Sequence, residues 1–146
     1  MMQTKLIHPG ILGALSLCGH GDKVLIADGN YPLDSESGNA KKVYLGLMPG
    51  VPNVTDVLEA FLDVVTVEKA EVMQPEDGAT PAIFVEFSRL LGGMNLEKRD
   101  RQDFYRICAE PKIRLAISTG EQRVYANILL TIGVARGFDT MNKIRE

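Results

Sequence analysis

The sequence predicts an α/β domain in which helices cover a mixed sheet. Short apolar runs of strand length alternate along the chain with amphipathic stretches of helical period. The run Lys23-Val24-Leu25-Ile26-Ala27 is uninterrupted by polar residues after its first position, as a strand buried on both faces requires. The segment Lys112 to Ser118 alternates instead, with Ile113, Leu115 and Ile117 facing one way and Arg114, Ala116 and Ser118 the other.

The elements follow in order. Gly10 to Gly19 reads as a helix with Ile11, Leu12, Leu15 and Cys18 on one face. Pro9 suits its first turn, Gly19 its end, and His8 its entry. The strand Lys23 to Ala27 runs into the turn residues Asp28-Gly29-Asn30-Tyr31-Pro32, and the polar stretch Leu33 to Lys42 reads as a loop. Val43 to Met48 is a second strand. Asn53 or Thr55 then caps a helix that gathers Val54, Val57, Leu58, Phe61 and Val65 on one side. Val67 to Met73 is a strand, Gln74 to Thr80 a break, Pro81 to about Leu91 a helix closed by Gly92-Gly93, and Arg99 to Ala109 another helix. After Lys112 to Ser118 and the turn Thr119-Gly120-Glu121, Tyr125 to Val134 forms a last apolar strand. With 146 residues and no repeat or linker, one domain over 1–146 is expected.

Composition excludes several classes. A net charge of −3 without a one-sign run is no footprint for nucleic acid. No apolar stretch reaches membrane-spanning length, and the N-terminus lacks the pattern of a signal peptide, so a cytoplasmic protein is expected. Cys18 and Cys108, in apolar helical contexts, read as free buried thiols. Two histidines without ligand spacing argue against a metal, and no phosphate-binding glycine loop or nucleophile elbow is present, so no cofactor is expected.

Three polar clusters interrupt apolar segments: His20 with Asp22, Asp28 with Asn30 and Tyr31, and Tyr125-Ala126-Asn127. An imidazole suits proton transfer near neutral pH, so His20, between two glycines, is a candidate acid, while on the residues alone a helix-end histidine bonded to exposed carbonyls is the leading reading. Asp28 is either a ligand-orienting carboxylate or an Asx-turn residue. Arg101, Tyr105 and Cys108 share a helix face, which either projects Arg101 and Tyr105 into a pocket or leaves Arg101 in the solvated run Glu97 to Arg101. Tyr125 and Asn127 fall on one side of the last strand. Met73 and Phe84 read first as core.

Gly19-His20-Gly21-Asp22, followed by Ile26-Ala27-Asp28-Gly29-Asn30-Tyr31-Pro32, resembles the N-terminal signature of the ribose-pyranase/fucose-mutarotase family. Thr119-Gly120-Glu121 with Tyr125-Ala126-Asn127-Ile128-Leu129-Leu130 resembles its C-terminal signature, and Gly50-Val51-Pro52 and Phe104-Tyr105 look like further landmarks. The resemblance implies a compact α/β fold assembled into a ring-shaped homo-oligomer, a decamer, with pockets completed by neighbouring subunits. It implies proton donation by His20 and sugar binding by Asp28, Arg101, Tyr125 and Asn127, with Asp22, Tyr105 and Met73 behind them. The residues Ile128 to Ile132 look exposed and apolar, in keeping with self-association.

The expected activity is anomer interconversion by acid/base-catalysed ring opening without metal or cofactor. His20 acts as the acid, and Asp28 either orients it or grips a hydroxyl. Arg101 and Phe104-Tyr105 resemble the fucose branch, so L-fucose is the expected monosaccharide, with Met73 or Phe84 against its methyl group. Ala126 and the stretch Leu47 to Pro52 resemble the ribose branch, which keeps D-ribose pyranase as the alternative. A sugar-binding accessory protein of transport, without turnover, is a further one.

Overall fold

The longest apolar run makes the centre of the sheet. The structure, a computed structural model, describes residues 1–135, so the last eleven positions of the expected 1–146 domain lie outside the described residues. Numbered in chain order, the strands are β1 (Lys23–Ala27), β2 (Lys41–Tyr44), β3 (Val67–Met73), β4 (Leu96–Arg99), β5 (Ile113–Ser118) and β6 (Ile128–Ile132). They form one six-stranded sheet in the order β2-β5-β1-β6-β3-β4. β6 runs antiparallel to β1 and β3, whereas the pairs β1–β5, β2–β5 and β3–β4 are parallel. A mixed sheet covered by helices is what the alternation of apolar runs predicts.

The helices are α1 (Pro9–Ser16), α2 (Val54–Leu62), α3 (Ile83–Leu90) and α4 (Arg101–Cys108). α1, α2 and α3 pack on one face against Val24, Ile26, Val72, Leu115, Ile117, Ile128 and Leu130. α4 and the segment around Tyr31 and Leu33 cover the other, against Leu25, Ala27, Met73, Ala116 and Leu129. Successive residues of β1 therefore bury on opposite faces, which explains its unbroken apolar run. The His8 Nδ1 caps α1 by accepting from the Ile11 N–H at 3.1 Å. The Asp56 carboxylate accepts from the Asn53 N–H at 2.9 Å at the start of α2. The Asp100 carboxylate caps α4 by accepting from the Asp103 N–H at 2.8 Å.

Several expectations are corrected. The second strand is Lys41–Tyr44, earlier than Val43 to Met48, because it pairs with Leu115 to Ser118 of β5. Ile113 lies on the face opposite Leu115 and Ile117, because the register with β1 steps from Lys23↔Ile113 to Val24↔Leu115 and leaves Arg114 as an extra residue. β4 was not expected: Leu-Glu-Lys-Arg carries no strand pattern, and only its pairing with β3 at the sheet edge makes it one. The last strand is Ile128–Ile132, so Tyr125 and Asn127 precede it rather than alternate along it. Ile128 to Ile132 are buried, because β6 lies between β1 and β3 and not at an exposed edge. Phe84 belongs to the core under α2 and α3, on the face away from Met73.

Candidate functional site

At the C-terminal end of β1 the chain turns at Asp28, and at the same end β6 begins just after Asn127. Met73 ends β3, and Arg101 opens α4 with only Asp100 between it and β4. A cavity of about 360 Å³ opens among them, lined by Asp28, Asn30, Tyr31, Met73, Arg101, Tyr105, Val124, Tyr125 and Asn127. Its volume lies at the lower end of the roughly 300–1,000 Å³ typical of small-molecule sites. Strand ends of an open α/β sheet are where side chains converge without a crossing backbone to cover them.

Asp28 is 3% exposed. Its Oδ1 accepts from the backbone N–H groups of Asn30 and Tyr31, both at 2.9 Å, so the Asx-turn reading holds. Burial raises its carboxyl above the ordinary carboxylate range, against the opposing pull of the N–H donors of Asn30, Tyr31 and Ala126 and of the Asn127 side chain. The Asp28 N–H donates to Asn127 Oδ1 at 2.8 Å. That bond orients the Asn127 amide at the mouth of the cavity.

Arg101 Nη2 donates to the Tyr125 hydroxyl at 3.4 Å across the exposed rim. Tyr125 has φ +61°, a left-handed backbone rarely adopted by a residue with a side chain and costing of the order of 1–3 kcal/mol. Tyr105 packs edge-on to Tyr31 with ring centroids 5.5 Å apart. The Tyr31 hydroxyl is turned away and donates to the Glu36 carbonyl at 2.7 Å, so Tyr31 offers the cavity its ring.

His20 and Asp22 are not in this cavity. They precede β1, at the opposite end of the sheet, where Gly21 N–H donates to the Ile132 carbonyl at 2.9 Å. The five residues of β1 alone span roughly 17 Å at about 3.3 Å each. His20 therefore does not meet Asp28 within one chain. Its exposed ring bonds instead to Glu68, Nε2 to Oε2 at 2.9 Å, and Asp22 accepts from the Gly19 N–H at 2.8 Å. A carboxylate only accepts, which assigns a proton to Nε2. Glu68 is the extra residue where the β3–β6 register steps from Val67↔Ile132 to Lys69↔Thr131. A bulge of this kind re-aims a side chain, and nothing in the sequence spacing signals it.

The landmarks Thr119-Gly120-Glu121 and Gly50-Val51-Pro52 meet beneath the rim. Thr119 Oγ1 donates to the Ala27 carbonyl at 2.8 Å, and the buried Glu121 Oε2 accepts from the Val54 N–H at 3.1 Å at the start of α2. Burial works to raise Glu121, but Arg123 and the backbone donors outweigh it and hold the carboxyl below its usual range. A Cβ on Gly120 would lie 2.4 Å from the Met48 carbonyl oxygen, so only glycine fits there. A second cavity, about 440 Å³, opens beside the first and shares Asn30 with it. It is bordered by exposed Leu47 and Met48 and by the glycines Gly29, Gly46 and Gly120. Among the described residues no cluster of His, Cys, Asp or Glu has the makings of a metal site, and no helix is long and apolar enough to cross a membrane.

Residues 1–135 match the family model described as the RbsD / FucU transport protein family. The D-ribose pyranase of Symbiobacterium thermophilum is 32% identical over 134 residues, covering 92% of this chain and 98% of that protein. The fucose mutarotase of Streptococcus pneumoniae, solved in complex with L-fucose, superposes with a TM-score of 0.80 at 26% identity, covering 93% of this chain and all of that one. Bacillus subtilis RbsD, solved with D-ribose, superposes with a TM-score of 0.79 over 93% of this chain and 100% of that one; at 24% identity it speaks to the fold alone. Strand-end cavity, glycine-flanked histidine and matched length thus lead to one conclusion: this chain belongs to the RbsD / FucU family.

Proposed function

We propose that the protein is a sugar mutarotase that opens and recloses a monosaccharide ring by acid/base catalysis. The observation that carries the reading is the convergence of Asp28, Arg101, Tyr105, Tyr125 and Asn127 on one open cavity at the strand ends. These groups offer a buried carboxylate, a guanidinium, two phenols and an amide to the hydroxyls of one small sugar. Mutarotation moves a proton to the ring oxygen and takes another from the anomeric hydroxyl; a positioned acid/base group contributes about 10²–10⁴-fold.

His20 is the proton donor in this reading, as the imidazolium: Nε2–H stays bonded to Glu68, and Nδ1 gives up and regains the exchanging proton. Because His20 is at the far end of β1, it serves the cavity of another copy, and the working unit is a closed homo-oligomer, a decameric ring, in the cytoplasm. Exposed Tyr44, Leu47, Met48 and Val51, on edge strand β2 and the loop after it, are apolar surface suited to such an interface.

L-fucose is the first substrate. Arg101 offers a planar fork of donors to vicinal hydroxyls, and Met73 lines the same cavity, where a methyl contact is worth about 1–3 kcal/mol. D-ribose is the second reading, favoured by the relatives named D-ribose pyranase. Exchange NMR on L-fucose and D-ribose side by side tests both. Faster exchange than in buffer for at least one sugar, lost in His20→Ala, is expected. Saturable binding of both sugars without accelerated exchange would instead leave a transport-accessory binder.

A further inference from the structure

Glu71 lies within β3 on the face covered by α4, and its side chain is 1% exposed. The residues around it on that face, Leu25, Met73 and Leu129, are apolar. Glu71 Oε1 accepts from Arg99 Nε at 3.2 Å and from Arg99 Nη2 at 2.9 Å, and Oε2 accepts from Lys23 Nζ at 3.3 Å. Lys69 Nζ is 3.6 Å from Oε1. Ion pairs of this kind roughly offset the desolvation of the charge, and well-packed apolar replacements are often no less stable. The consequence of the buried carboxylate is therefore geometric.

What it holds is the root of α4. Arg99 ends β4, an edge strand with one hydrogen-bonded neighbour, and only Asp100 separates it from the helix. The same guanidinium approaches the first turn of α4, Nη1 lying 3.6 Å from Asp103 Oδ2. Arg99 also accepts, through its carbonyl, from the Gln74 N–H at 2.7 Å, next to Met73. Arg101 and Tyr105 stand two residues either side of Asp103 and line the cavity. The exposed 3.4 Å contact of Arg101 with Tyr125 is too long to locate the helix by itself.

We infer that Glu71 is a positioning residue for the cavity: through Arg99 it sets where α4 presents Arg101 and Tyr105 to the substrate. The inference rests on the proposed sugar-binding role of Arg101. KM and kcat for L-fucose and D-ribose are measured for wild type, Glu71→Leu, Arg101→Ala and the double variant combining them. Glu71→Leu/Arg99→Met is included as an apolar replacement of the whole pair, which stays folded should Glu71→Leu alone leave Arg99 unpaired. The expected result is a rise in KM of roughly 3- to 30-fold in Glu71→Leu and in the apolar pair, with kcat within about twofold of wild type. In the Arg101→Ala background, Glu71→Leu should add less than it does in wild type, because the part acting through Arg101 is already lost and only the part acting through Tyr105 remains. A folded Glu71 variant with wild-type KM, while Arg101→Ala raises it, overturns the inference alone, as does a full additive rise in the double variant. Wild-type KM in Arg101→Ala removes the site reading and the inference with it.

Discussion

If each site draws His20 from one copy and its cavity from another, two inactive variants should restore each other. His20→Ala removes the proton donor and leaves the cavity whole; Asp28→Asn damages the cavity and leaves His20. The pair is chosen because their positions flank β1, which keeps them roughly 17 Å apart within a chain. In an equal, random mixture half the histidines and half the cavities are intact. A site is complete with probability one half times one half, so activity should return to about one quarter of wild type in a closed ring of identical contacts. His20→Ala alone should retain no more than about 1% of the catalysed exchange, given the 10²–10⁴-fold usual for an acid/base group, and Asp28→Asn alone should fall well below the quarter expected of the mixture. The assay is anomer-exchange NMR on variants co-expressed with different tags and purified through both, with singly tagged parents as controls. Activity no greater than the average of the parents would refute a shared site and return His20 to a surface role with Glu68.

Other predictions concern single positions. Asp28→Asn keeps an oxygen for the Asn30 and Tyr31 N–H groups, so its Tm at pH 7 should equal or exceed that of wild type. The sign follows from a folded carboxyl raised by burial: its contribution to stability is complete below the ordinary value of 3.8 and lost as pH rises through the folded value. The Tm difference should therefore close on acidification, and a lower Tm for the variant at pH 7 would contradict this. Glu121 has the opposite sign: its folded carboxyl is depressed, so its contribution is present above the ordinary value of 4.5 and lost as pH falls through the folded value. Glu121→Gln should lower Tm at neutral pH, with a gap that narrows in acid, followed by thermal melts from pH 7 to 3. Gly120→Ala should cost about 1–3 kcal/mol in denaturant unfolding through the clash with the Met48 carbonyl; an unchanged midpoint would show that the loop yields freely.

The sequence by itself determined the α/β class, the buried central strand, all four helices to within a few residues, and the polar positions at Asp28 and Asn127. All of these follow from local periodicity and turn chemistry. It also carried the family, because the glycine-bounded motifs occur in order along the chain. Tertiary structure alone decided where the motifs stand relative to one another. His20 and Asp28 are eight positions apart in sequence, yet they face opposite ends of the sheet because the intervening residues are extended. Asp28 and Asn127, distant in sequence, share a hydrogen bond because β6 returns antiparallel beside β1. Bulges at Glu68 and Arg114, and the strand status of Leu96–Arg99, depend on pairing with distant partners. The same holds for Glu71: the residues Val67 to Met73 show a charge inside a strand, but its burial and its bond to Arg99 exist only once β4 and α4 are laid against β3.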